Sequence, residues 1–144
     1  MLDKYVLEPP CGIHCGLCPL YKALTDEKLK KVLMERMNLT EEKATCTGCR
    51  AIGGYCPVIG EQCATWVCSK EKGVEFCYEC TEFPCIKLMP CADRAEKIPH
   101  NMKVYSLMLR KMKGDAGWEK GIRELYDLYY RGKMVIGRGP KPKD

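Results

Sequence analysis

The chain has little of what an ordinary core is made from. Of 144 residues only two are Phe and two Trp, aromatics make up 8%, and the 46% of hydrophobic residues includes every cysteine. Residues 40 to 92 hold few long aliphatic runs, so this stretch is expected to fold only with the help of crosslinks. Histidine is present only as His14 and His100, which leaves little for the histidine-rich ligand sets of catalytic zinc. No run approaches the ~20 apolar residues that cross a bilayer. Met1-Leu2-Asp3-Lys4-Tyr5 leads to Glu8-Pro9-Pro10 without the basic and apolar regions of a secretory signal. A cytoplasmic location with reduced thiols is therefore expected. The chain also lacks a Walker phosphate loop, a Gly-x-Gly-x-x-Gly turn between strand and helix, and a repeat of 20 to 50 residues.

What the chain has is cysteine, twelve in all. Three pairs are spaced Cys-x-x-Cys: Cys15 with Cys18, Cys46 with Cys49, and Cys77 with Cys80. Two sulfurs at this spacing grip one soft metal ion from a single tight turn. In Cys46-Thr47-Gly48-Cys49, Gly48 stands where positive φ lets backbone N–H groups point at the sulfurs, the shape of a zinc knuckle. Disulfides and reactive thiols are the rival uses. Residues two apart are poor bridge partners, however, and redox pairs of this kind usually come singly on a βαβ scaffold.

Zinc and iron–sulfur chemistry both suit thiolates. Separated pairs with a glycine-bearing turn favour zinc, two ions being expected, with a [4Fe-4S] cluster as the alternative. Cys11-x-x-x-Cys15-x-x-Cys18 has the spacing of radical enzymes that use S-adenosylmethionine, but those need a barrel of roughly 200 residues or more. Cys18-Pro19 echoes only the end of the bacterial ferredoxin run. Glu79 and Glu82 flank cysteines and read as surface charge. All-thiolate sites are usually closed, so a non-catalytic role is favoured over a thiol- or metal-dependent enzyme.

Taken in order, Cys-Gly-x-x-Cys-x-x-Cys, Cys-x-Gly-Cys, Cys-x-x-x-x-Cys, a Lys-Gly stretch, Cys-x-x-Cys and Phe-Pro-Cys resemble a family of small cysteine-rich bacterial and archaeal proteins classed as a domain of unknown function. The resemblance spans residues 11 to about 88. It implies metal binding, with zinc as the ion, and adds no reaction. The matching positions are Cys11, Cys15, Cys18, Cys46, Cys49, Cys63, Cys68, Cys77, Cys80 and Cys85, with Cys56 and Cys91 additional. One pairing joins Cys46/Cys49 to Cys77/Cys80 and builds a second site from Cys15, Cys18, Cys68 and Cys85. Cross-braced pairings and a third site stay open.

Helical periodicity organises the rest. Thr25 is a candidate cap for a helix with Leu29, Val32, Leu33 and Met37 on its inner side. A second helix is expected near Asn101, with Met102, Tyr105, Met108, Leu109 and Met112 on one face. Gly114-Asp115-Ala116-Gly117 turns it into a third, carrying Trp118, Ile122, Leu125, Tyr126, Tyr129 and Tyr130 as far as Gly132. The expected fold is a small metal-stabilised, α-rich and irregular domain, its cysteine-rich knuckles packed with an amphipathic helix and a C-terminal helical hairpin. It is one domain over 1–136, metal-binding at about 11–91 and helical at about 100–132, followed by a basic flexible tail at 137–144. Residues 94–144 hold 13 Lys and Arg against 6 Asp and Glu, and residues 1–93 hold 11 against 13. Those basic residues are not interleaved with aromatics as a nucleic-acid surface would have them. A protein partner is favoured over nucleic acid, and a membrane is not expected.

Overall fold

The computed structural model describes residues 4–90 and 99–144. Cys91 and the side chain of His100 lie outside the described residues. The chain is mostly helical and irregular. Four α-helices, α1 (Pro19–Lys22), α2 (Glu27–Met37), α3 (Ala64–Glu71) and α4 (Lys103–Arg131), alternate with 3₁₀ turns at Cys15–Leu17, Glu41–Ala44, Cys77–Glu79, Ile86–Leu88 and Pro99–Met102. Strands β1 (Lys133–Val135) and β2 (Gly139–Lys141) close the chain as an antiparallel ribbon, Met134 opposite Pro140.

The expected helices are present, with two corrections. Asp26, not Thr25, caps α2: its carboxylate accepts from the Leu29 N–H at 2.9 Å, whereas the Thr25 hydroxyl donates to the Lys22 carbonyl. A carboxylate at a helix N-terminus also meets the positive end of the dipole. Of the stripe expected on α2, Leu33 is buried and Val32 and Met37 stay exposed.

The second correction concerns α4. Gly114, at φ 70° and ψ −178°, breaks it into two arms, a conformation essentially reserved for glycine. The arms fold back as the expected hairpin: Trp118 Nε1 donates to Ser106 Oγ at 2.8 Å, and Met102 packs on Trp118, Ile122 and Tyr126. On the first arm the buried face is Met102, Lys103, Ser106, Leu107 and Arg110, while Tyr105 and Met112 face outward. The apolar stripe expected there has helical spacing, but the face next to it is covered by the lead-in and the cysteine turns, and Glu8 of the lead-in pairs with its Arg110.

Three small cores replace one large one. Cys11, Phe76, Leu88 and Leu107 form the first; Met102, Trp118, Ile122 and Tyr126 the second; Leu20, Ala23 and Leu33 the third. Gly12 joins the first two. With φ at +92°, it lies so near the first arm that a Cβ would stand 2.7 Å from Leu107 Cγ and 2.9 Å from the Lys103 carbonyl oxygen. Its own carbonyl accepts from Ser106 Oγ at 2.5 Å.

Arg110 is the centre of the assembly. Its guanidinium, 3% exposed as a residue, lies 3.7 Å from the Trp118 ring centroid, 4.3 Å from Phe76 and 5.4 Å from Tyr5. It pairs with Glu8 and, at 2.7 Å, with Asp115. Asp115 in turn accepts from Tyr5 Oη and Lys4 Nζ, each at 2.8 Å. A second cation, Arg50, donates to the Glu8 carbonyl at 2.9 Å and the Glu75 carbonyl at 3.1 Å, and its side chain is 5% exposed. Together the two arginines fasten the lead-in to the middle segment and the hairpin.

Removing one partner of a buried ion pair leaves the other unpaired, at a cost of about 3–5 kcal/mol. Arg110→Met should therefore destabilise the chain by roughly that amount in urea unfolding, and Glu8→Gln added to it should recover part of the loss. An additive double variant would contradict the coupling. Hydrogen bonds from Lys4 and Tyr5, helped by the Arg110 charge, lower the Asp115 carboxyl to about 2, against roughly 3.9 in an unfolded chain. Its stabilisation is thus present above about pH 4 and is lost as pH falls through about 2. Asp115→Asn should be less stable than the parent at pH 7, and the gap should close between those two pH values.

Candidate functional site

The cysteines form two groups, each set by local backbone geometry. In the first, the 3₁₀ turn at Cys15–Leu17 presents Cys15 and Cys18, and Cys46–Cys49 lies against them. The Cys49 N–H donates to Cys15 Sγ at 3.4 Å, and the Gly48 N–H donates to Cys46 Sγ at the same distance. The tight turn expected at Gly48 is present, with φ at 109°. The thiol of Cys49 hydrogen-bonds the Cys15 sulfur. Cys18 lies in electrostatic reach of Cys46 and Cys56, and Cys56 in reach of Cys49 and Cys63.

The second group faces a cleft of about 220 Å³ lined by Cys68, Cys77, Cys80 and Cys85 with Val74, Phe83 and Leu88. The Glu82 N–H donates to Cys80 Sγ at 3.4 Å. Glu79 accepts from the N–H groups of Glu75 and Phe76, at 2.8 and 3.0 Å, and Glu82 pairs with Lys72. Both glutamates are thus structural. Cys11, 8% exposed, stands between the groups, in reach of Cys49, Cys63 and Cys77.

This grouping differs from the pairing expected from sequence. Cys15 and Cys18 meet Cys46 and Cys49, while Cys77 and Cys80 meet Cys68 and Cys85. The expected cofactors also need correction. Among the described residues no three His, Cys, Asp or Glu side chains gather as one metal ion would require, so two bound zinc ions, or a [4Fe-4S] cluster, are not what this arrangement presents. The sulfurs of the second group are spread along the wall of a cleft and do not converge on one point.

Burial dominates the acid–base state of these thiols. It pushes Cys11, Cys46 and Cys56 above the ordinary value, raises Cys18 to about 11, and lifts Cys77, with the neighbouring Cys11, Cys85 and Cys68, to about 12. Cys49 is raised first by its hydrogen bond to Cys15 and then by burial. Lys103, itself 4% exposed, opposes the rise at Cys11, Cys49 and Cys77 without reversing it. These thiols are neutral near pH 7, the opposite of an activated nucleophile.

Sequence reasoning missed Lys103, Ser106 and Arg110. Their spacing of three, four and seven marks one helical face, a signal legible only to a reader who looks for polar stripes as well as apolar ones. His14 stacks on Trp118 with centroids 5.4 Å apart and planes at 7°, and its backbone N–H donates to the Tyr126 hydroxyl at 2.8 Å. Burial keeps its imidazole below the usual range and therefore neutral near pH 7.

A different concave surface lies on the C-terminal half. The two arms of α4 and the ribbon enclose a groove of about 600 Å³ whose walls include Tyr105, Leu109, Leu125, Leu128 and Met134, with Glu124 and Arg138 as the charged residues of its lining. Ile136, at the ribbon tip, is fully exposed. Among the described residues no helix is long and apolar enough to cross a membrane.

Sulfur-lined turns, several small helices and a hairpin pinned by buried cations define a small cysteine-rich, α-rich domain. The chain belongs to the family described as "Protein of unknown function (DUF3795)", which matches residues 7–90. No curated protein and no solved structure matches the chain. The family match takes in both cysteine groups and stops short of the hairpin and its groove.

The neutral thiols carry a direct consequence. At pH 7.5 Cys77 in the native chain should react with iodoacetamide at least about a hundredfold more slowly than in the unfolded chain, because the thiolate fraction falls with the raised pKa. Mass spectrometry of timed aliquots reads this out, and equal rates would contradict the assignment. The stabilisation stored in that neutral thiol is complete below about pH 8.5 and is lost as pH rises towards about 12.

Proposed function

We propose that the protein is a non-catalytic interaction module that docks an acidic amphipathic helix in the groove between the α4 arms and the ribbon. The groove itself carries the reading: an apolar channel with Tyr105 62% and Met134 67% exposed. Exposed apolar patches of this kind mark binding surfaces more often than chance. Its surroundings choose the occupant. Residues 99–144 hold eleven Lys and Arg against five Asp and Glu, and Arg138, Lys133 and Lys141 lie in or beside the ribbon that forms one wall. A helix with leucines at i, i+3 or i+4 and i+7 and glutamates along its flanks complements both features. The neutral thiols favour this class over a thiol enzyme, since none of the raised groups is poised to attack.

The test uses a synthetic amphipathic peptide in two versions, glutamate-flanked and lysine-flanked, titrated into the full chain with fluorescence anisotropy as readout. The glutamate version should bind, weaken about tenfold between 50 and 300 mM salt as rim charges are screened, and lose at least tenfold in affinity with Leu125→Asp. Equal binding of both versions, or Leu125→Asp binding like the parent, would overturn the reading. So would tighter binding of a single-stranded oligonucleotide than of the acidic peptide.

A further inference from the structure

The cleft at the second cysteine group lies apart from the groove and has its own chemistry. The 3₁₀ turn Cys77–Glu79 is the reason two sulfurs point the same way: 3₁₀ geometry eclipses residues three apart, and both Cys77 and Cys80 line the cleft. The turn is fastened by the Cys77 N–H, which donates to the Pro10 carbonyl at 2.9 Å, and by the Cys80 N–H, which donates to the Cys77 carbonyl at 3.2 Å. Cys68 and Cys85 add sulfur to the lining, and Val74, Phe83 and Leu88 supply its apolar part beside the polar Thr65, Ser69 and Lys72. At the rim Ile86 is 82% exposed. A volume of about 220 Å³ exceeds what a bare ion fills and suits a small molecule.

We propose that this cleft binds a small molecule bearing an apolar group on a soft, thiol-seeking centre, with Cys77 and Cys80 as the paired sulfurs that bond to it. With an organoarsenic(III) oxide as probe, two S–H groups condense with one As=O: two As–S bonds form, the As=O bond is replaced, one water leaves, and arsenic stays trivalent. The second sulfur closes an intramolecular ring, so its effective concentration is high. The apolar wall then holds the substituent by burial.

Phenylarsine oxide added to the reduced full-length protein tests this. One equivalent should bind first, and digestion should recover it bridging Cys77 and Cys80 in a single peptide, a readout that needs no variant. A monothiol should fail to displace it, whereas a dithiol such as 2,3-dimercaptopropanol should. Cys80→Ala, checked by circular dichroism, should weaken the first equivalent at least a hundredfold, and inorganic arsenite, lacking the phenyl group, should bind the parent at least tenfold more weakly. Recovery of the first equivalent on Cys15/Cys18 or Cys46/Cys49 would overturn the proposal. Undiminished binding by a folded Cys80→Ala chain, or equal affinity for arsenite and phenylarsine oxide, would do the same.

Discussion

The guanidinium of Arg110 is the charge around which the fold closes. Taking an arginine out of water is costly unless its donors and its flat faces find partners. Here carboxylates of Glu8 and Asp115 meet its edge, and the rings of Trp118, Phe76 and Tyr5 surround it. Those five residues come from the lead-in, the middle segment and the arm that follows Gly114, so one side chain on the first arm is satisfied only when three other parts of the chain are in place. Planar stacking and bidentate pairing are properties a lysine ammonium lacks. Arg50 repeats the device on a smaller scale between Glu8 and Glu75. A chain with three small cores and few aromatics gains from such directional contacts a definition that apolar burial alone would leave loose.

Sulfur does a different job from the one its spacing suggests. Cys11 and Cys15 are buried as small hydrophobes, and Cys11 belongs to a core with Phe76, Leu88 and Leu107. Two influences compete at these thiols. Lys103 favours thiolate at Cys11, Cys49 and Cys77, and burial or neighbouring sulfur favours thiol; at all three the second outweighs the first. The result at these three is a neutral, polarizable side chain with no charge for the interior to offset. Cys15, Cys46 and Cys80 order their turns by accepting backbone N–H bonds.

The helices were legible because each carries a local mark. Gly114 opens the second arm of α4 by its conformational freedom, Gly132 closes it where a Cβ would strike the Leu128 and Lys141 carbonyls, and the spacing of Trp118, Ile122 and Tyr126 states which side is inner. The tight turn at Cys46–Cys49 was legible for the same reason, its geometry being contained in four residues. What could not be read locally was decided by distant partners. Whether the first arm turns Met108 and Met112 or Lys103 and Arg110 inward depends on Glu8 and Phe76, which are remote in sequence and reveal nothing of their distance from the arm. The grouping of cysteine pairs has the same character: each pair is defined by a turn, but which pairs meet depends on contacts between segments remote in sequence, such as the Cys49 N–H on Cys15 Sγ.

The limits of the family match sharpen the role of the hairpin. Residues 7–90 contain Glu8, Gly12, Phe76 and every sulfur of the cleft, yet the pieces that complete them lie beyond residue 100. Phe76 and Leu88 are buried with Leu107, the Gly12 carbonyl is satisfied by Ser106, and the Glu8 carboxylate is neutralised by Arg110. The first arm of α4 therefore belongs physically to the cysteine-rich part, as the wall that seals its core. The second arm shares that duty on its inner side, where Trp118 and Tyr126 receive His14, while its Leu125 and Leu128 combine with Tyr105 and Leu109 of the first arm and with the ribbon to line the groove proposed as the docking surface.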